Sequence, residues 1–270
     1  MVLGAIREMS VQSYSSVIEN IENFDDIGEA YFQKRLSILR EGLIGALGMT
    51  VVTGPFRGMD ILVSPDPINF LPRLLGCYEQ ELHPRMESLI SYRPDQLINI
   101  GCGEGYYAVG MALRVPELTV HAFDLDEESL FLCRQIAEQN GVANRVNLYG
   151  ECTLESLSCL AKKGSVIICD CEGAELDLLK PLAVPILKEC SLTVELHEFL
   201  CLGLAEELAS RFDRTQAVQI VDSSGRNPHA FPFLRKFSNL DQWLVLCEFR
   251  SASMQWMVAD PNDDRMPHLK

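Results

Sequence analysis

Residues 97–107, LINIGCGEGYY, join an apolar run to glycines at alternate positions, Gly101, Gly103 and Gly105, and lead straight into a helical pattern. A strand that ends in glycines can turn sharply and bring its backbone close to a ligand, because residues without a Cβ neither clash nor resist positive φ. The junction therefore predicts an open α/β sheet with a nucleotide-type cofactor at its strand ends. The spacing narrows the ligand. A dinucleotide fingerprint places its third glycine three residues after the second, yet Tyr106 stands there and Gly105 comes one residue early.

A second apolar segment, TVHAFDLD at 119–126, ends at Asp124, 19 residues beyond Gly105. A carboxylate at that distance can accept hydrogen bonds from both hydroxyls of a ribose. The glycine spacing and Asp124 together favour S-adenosylmethionine over NAD as cofactor. The competing account of Asp124, that it merely caps a helix starting near Glu127, leaves the glycines unexplained.

From residue 96 onward strand and helix patterns alternate, which predicts a sheet covered on both faces. Strands are expected at 96–101, 119–124, 145–150, 165–170, 192–197, 215–224 and 253–261. The fold class is then α/β, a Rossmann-like doubly wound sheet of about seven strands, mostly parallel with the last antiparallel, whose strand C-termini share one ligand-binding edge. Residues 91–270 make the cofactor-binding domain, with a helix near 200–212 and an insertion at about 225–252 holding the loop SGRNPHAFP and a helix near 239–250. Residues 1–90 read as a cap over the cofactor edge or a homodimer contact: helical over 13–48, a hairpin over 50–63 turning at GPFRG, and helical again over 74–90.

The formal charge of −15 argues against nucleic acid as a partner, since phosphate binding needs clustered Lys and Arg. No apolar run reaches the roughly 18 residues of a membrane helix, and MVLGAIREMS lacks the pattern of an export signal. Ten cysteines without a Cys-x-x-Cys pair read as reduced thiols, among them Cys133, Cys169, Cys190 and Cys247 in apolar segments. These features point to a cytoplasmic enzyme.

The chain resembles class I S-adenosylmethionine-dependent methyltransferases and, more narrowly, the FkbM-type family. The narrower likeness rests on DCEGAELDLL at 170–179 and VELHE at 194–198. The resemblance implies that Gly101, Gly103 and Gly105 lie beside the methionine and ribose parts, that Asp124 binds the ribose, and that the turn Gly150, Glu151, Cys152 borders the adenine. Asp170, at the end of the fourth expected strand, faces the same cofactor edge. Class I enzymes usually carry an acid two positions before the first glycine, where this chain has Asn99; either cofactor binding is weaker for it, or an acid compensates, Glu104 or else Glu79, which the resemblance puts on a helix flanking the cofactor and which a solvated helix face explains equally well.

Methyl transfer from a sulfonium asks the protein mainly to align the acceptor and exclude water. A hydroxyl acceptor must also lose a proton, which calls for a base or a metal. Asp170, Glu172, Glu195, His197 and Glu198 are the candidates at the ends of the fourth and fifth strands. Asp170 and His197, with Glu172, are expected to place or deprotonate a small-molecule hydroxyl. Helix-dipole complementation competes as the explanation of Glu172. A divalent metal on Asp170, Glu195 and His197 is not favoured, and activity is expected to survive chelation. An amine or guanidine acceptor and a noncatalytic S-adenosylmethionine-binding module are the alternatives, and His229 is the reserve candidate on the insertion loop.

Overall fold

The computed structural model describes residues 32–63, 69–250 and 252–262. Seven strands form one sheet: β1 (Gln96–Ile100), β2 (Thr119–Phe123), β3 (Val146–Tyr149), β4 (Val166–Cys169), β5 (Ser191–Leu196), β6 (Gln216–Asp222) and β7 (Gln255–Pro261). Their order is β3-β2-β1-β4-β5-β7-β6. Strands β1 to β5 pair in parallel, whereas β7 runs antiparallel to both β5 and β6. This is the Rossmann-like doubly wound sheet that the alternation predicts. The order reverses between β1 and β4, so the crevice at their C-terminal ends is where such a sheet takes its ligand.

The central strands β1, β4 and β5 are buried at every position, as strands covered on both faces must be. Alternation along β1 divides the core into two layers. Leu97 joins Met86, Leu89, Val109 and Ala112 on one face, and Ile98 and Ile100 join Leu157, Leu179 and Leu208 on the other. Asn99 lies on the Leu97 side of the strand, which decides its fate in the site below. Some helix starts are capped by side chains: Asp126 accepts from the backbone of Glu128 and Ser129, and Thr153 and Ser156 form a capping box.

The N-terminal part departs from the helix–hairpin–helix expectation in detail. Residues 32–47 are helical, and the rest of the helix expected over 13–48 lies mostly outside the described residues. Residues 50–63 make a hairpin-like loop held by one antiparallel bridge, Thr50 to Asp60, rather than two strands. The single helix expected over 74–90 is two helices, Phe70–Leu75 and His83–Tyr92, with a 3₁₀ turn between. The break falls at Gly76, whose left-handed backbone abuts the backbone of Thr53 where a side chain would collide. Likewise the insertion helix is short, Asn239–Leu244, behind two 3₁₀ turns. These outer segments are not separate from the sheet: Leu36, Leu39 and Leu43 share a core with Phe231, Leu234 and Leu244, and Arg35 grips Asp241 at 2.7 and 2.6 Å.

One buried ion pair anchors the helix His83–Tyr92 to the antiparallel end of the sheet. Arg85 donates to both carboxylate oxygens of Asp260 on β7 at 2.7 and 2.8 Å, and to Thr193 and the Leu192 carbonyl on β5. Removing one partner leaves an uncompensated buried charge, which costs about 3–5 kcal/mol, whereas a pair of apolar residues can be tolerated. Asp260→Ala should lose that much stability in urea unfolding, and Arg85→Met with Asp260→Leu should recover part of it; equal losses would contradict this account of the pair.

Candidate functional site

Gly101, Gly103 and Gly105 all adopt left-handed backbone, φ +70°, +50° and +90°, so each needs the freedom that only glycine has without strain. They differ in what surrounds them. A Cβ on Gly101 would overlap the carbonyl oxygen of Asp170, and one on Gly105 would press on Cys133, but one on Gly103 would meet nothing. Gly101 therefore lets two loops touch, and Gly103 leaves room for a ligand.

Gly103 opens on a cleft of about 620 Å³ lined by the glycine loop, Asp124, Gly150, Glu151, Cys152, Asp170 and Glu172, among others, within the size range of small-molecule sites. Asp124 accepts from the backbone N–H groups of Gly103 at 2.7 Å and Asp126 at 2.9 Å. Each carboxylate oxygen keeps a further lone pair for a hydroxyl. Asp126, not Asp124, caps the following helix, so capping does not account for Asp124. Glu151 and Cys152 line the same cleft. The donor and acceptor set, the open space at Gly103 and the volume fit an adenosyl cofactor.

Asn99 and Glu79 do not line this cleft. The Asn99 amide is buried and reaches the Ile168 carbonyl at 3.4 Å, with its own Oδ1 unpartnered. Glu79 is not on a helix but at a left-handed residue, φ +45°. Its carboxylate is taken up by Arg250 at 2.8 Å and by the Tyr107 hydroxyl. Glu104 is likewise bound by Arg73. The expected compensation for Asn99 thus falls on acids already engaged. Tyr106 packs edge-on against Phe56 and Tyr78.

At the ends of β4 and β5 the chain assembles Asp170, Glu172, Glu175 and His197. His197 is 97% buried in the sense that only 3% of its side chain is exposed, and its Nδ1 lies 2.8 Å from Oε1 of the fully buried Glu175. Its Nε2 faces Asp170 Oδ1 and Glu172 Oε2, 3.6 Å from each. Burial, then the carboxylates of Glu195, Glu79 and Glu172, hold the Asp170 carboxyl well above the usual range. Burial works against the imidazolium of His197, but the hydrogen bond and charge of Glu175 outweigh it and the pKa rises. Burial also raises Glu175, yet its bonds from His197 and from the backbone hold it below the ordinary value.

Other candidates are diverted. Glu195 lies on β5, whereas His197 stands just beyond its end, and Glu195 binds Arg250, which also bridges Glu79 and Glu248. Glu198 accepts from the backbone of Gly203 and Ala205 and caps the next helix. Glu172 precedes the helix Glu175–Leu178 and has φ +54°, so it is not in the first turn, whose acids are Glu175 and Asp177. His229 is exposed on the insertion loop. All ten cysteines are free, although Cys159 and Cys247 are exposed rather than buried. Glu175 and Arg250 were not singled out from sequence; the Glu of the 170–179 segment was the available signal for Glu175, and nothing local marks Arg250.

No protein-family model matches the chain. A probable cobalt-precorrin-6B C(15)-methyltransferase (decarboxylating) of Pyrobaculum calidifontis is 47% identical over 53 residues, 19% of this chain and 27% of that protein. The chain thus matches about a quarter of the length of this curated relative. Among solved structures, an rRNA methylase from Streptococcus thermophilus has a TM-score of 0.47 at 12% identity, covering 67% of this chain and 97% of that one. The O-methyltransferase TomG from Streptomyces achromogenes, solved with its cofactor, has a TM-score of 0.45 at 12% identity, covering 70% and 83%. By their names these proteins are methyltransferases. Among the described residues no helix is long and apolar enough to cross a membrane.

The glycines make separable predictions. Gly103→Ala meets open space and should cost only the left-handed strain, about 1–2 kcal/mol, while Gly101→Ala must also push the Asp170 strand end away and should cost clearly more. Chemical denaturation of the two variants checks this, and equal losses would show that the Gly101 contact is relaxed at little cost.

Proposed function

We propose that the chain is an S-adenosylmethionine-dependent methyltransferase acting on a small-molecule hydroxyl. The observation that carries this reading is one continuous cleft that runs from Gly103, Asp124 and Glu151 to Asp170 and Glu172. The glycine loop, Asp124 and two acids of the strand-end cluster, Asp170 and Glu172, thus share a single cavity, and the buried His197 stands beside those acids without lining it. When bound, S-adenosylmethionine supplies an electrophilic sulfonium methyl; the acceptor oxygen bonds to that carbon, the C–S pair stays on sulfur, and S-adenosylhomocysteine and one proton are released.

The residues divide the remaining work. Gly103 keeps the loop clear, Asp124 receives the ribose hydroxyls, and Glu151 and Cys152 border the base. Asp170, Glu172 and His197 receive the acceptor hydroxyl, align it with the methyl and take up its proton, while Glu175 fixes the His197 ring. An amine acceptor is the second reading, favoured by the number of carboxylates at the strand ends, which would hold a cation.

Calorimetry should register S-adenosylmethionine and S-adenosylhomocysteine and no NAD, and Gly103→Val should abolish the signal by filling the open space beside the loop. Tight NAD binding without a response to S-adenosylhomocysteine would overturn the cofactor. Asp170→Asn and His197→Ala should retain cofactor yet lower turnover by about 10² to 10⁴-fold, the usual worth of positioned proton transfer. Full turnover in both would remove the strand-end cluster from the chemistry.

A further inference from the structure

We propose that Asp170, Glu172 and His197 form a binding site for a divalent cation of the Mn²⁺ class. Carboxylate oxygens of Asp170 and Glu172 and an imidazole nitrogen of His197 all lie within 4.8 Å of one another. Neighbouring ligands of an octahedral ion stand about 3 Å apart, given bonds of about 2.1 Å. The 3.6 Å from Nε2 to each carboxylate is too long for a hydrogen bond and close to that ligand spacing.

The buried partner of the set points the same way. His197, with 3% of its side chain exposed, makes its hydrogen bond through Nδ1 to Glu175. Its Nε2 is aimed between the two acids with no hydrogen bond of its own. A carboxylate that fixes the ring and tautomer of a histidine so that the other nitrogen is presented outward is the usual support of a histidine metal ligand. Asp170 Oδ1, the oxygen facing Nε2, is itself buried without a hydrogen-bond partner. Nε2 and Asp170 Oδ1, neither of them hydrogen-bonded, thus face each other 3.6 Å apart as a loose ion pair, beside the exposed carboxylate of Glu172.

The donor set selects the ion. Carboxylates suit Mg²⁺, Ca²⁺ and Mn²⁺ and imidazole suits later transition metals, so a two-carboxylate, one-imidazole set fits Mn²⁺ best. The ligand set differs from the one expected from sequence, because Glu195 is committed to Arg250 and Glu172 takes its place. Asp170 and Glu172 line the cleft, so the open positions of the ion face it. There a cation polarises an acceptor oxygen and takes over from His197 the loosening of its proton. This last step rests on the methyltransferase reading; the site itself does not.

The test is binding of Mn²⁺ to the full chain, followed by the loss of the free-ion electron paramagnetic resonance signal. One ion per chain is expected. Glu172→Gln, at a side chain that is 80% exposed, and His197→Ala should each weaken it at least tenfold, and Glu175→Gln by about 10- to 100-fold through loss of ring orientation. Circular dichroism of each variant separates this from unfolding. Absence of stoichiometric binding of Mn²⁺, Mg²⁺ or Zn²⁺, or Mn²⁺ binding indifferent to Glu172→Gln, overturns the site. Calorimetry with S-adenosylhomocysteine on the same samples keeps the two readings apart: Mn²⁺ without nucleoside uptake sinks the cofactor assignment alone, and the converse sinks the metal alone.

Discussion

The carbonyl of Asp170 sits where a side chain on Gly101 would have to be. Two loops leaving adjacent strands, β1 and β4, are thereby packed backbone to backbone. The contact sets how far the glycine loop stands from the acids beyond β4. In-line chemistry between a cofactor on the first loop and an acceptor on the second tolerates little error in that distance. Because the contact is between main chains paired through β1 and β4, it does not depend on a side-chain rotamer. The rest of the site is arranged around it: Asp124 ties Gly103 from the β2 side, and Glu175 ties His197 from the β5 side.

Charge is the second constraint. Glu79, Glu195 and Glu248 come from three distant parts of the chain and meet on Arg250. Buried carboxylates without a counter-charge would be costly, so the guanidinium makes the crowding of acids at this edge tolerable. It also sorts them. The acids that Arg250 binds are satisfied, and those beyond its reach, Asp170 and Glu172, face His197 with bonding capacity left over.

What could be read from the sequence follows from what is local. The glycine triplet, Asp124 and all seven strands are encoded within short windows by periodicity and by residues of special backbone freedom, and they appear where expected. The long helix over 74–90 does not form, because Gly76 answers to a tertiary contact with Thr53 that no window around it contains. Glu79 looked available for the same reason: its partner Arg250 is 171 positions away. His197 was visible as a histidine at a strand end, but its orientation comes from Glu175 across a loop, and the identity of the ligand set changed when Arg250 claimed Glu195.

The position of β7 has a consequence for how the chain is made. Strand β5 is buried at every residue and lies between β4 and β7, yet β7 begins about 60 residues after β5 ends. At about 5–20 residues per second, a ribosome needs roughly 3 to 12 s to supply that neighbour. Throughout that interval the nascent sheet carries an apolar open edge, the feature most prone to pair with another chain. Glu195, on that edge, also waits for Arg250, which is synthesised just before β7. Vulnerability to aggregation is therefore concentrated in the moments before the last strand slots in, and a holding chaperone would have its greatest effect there.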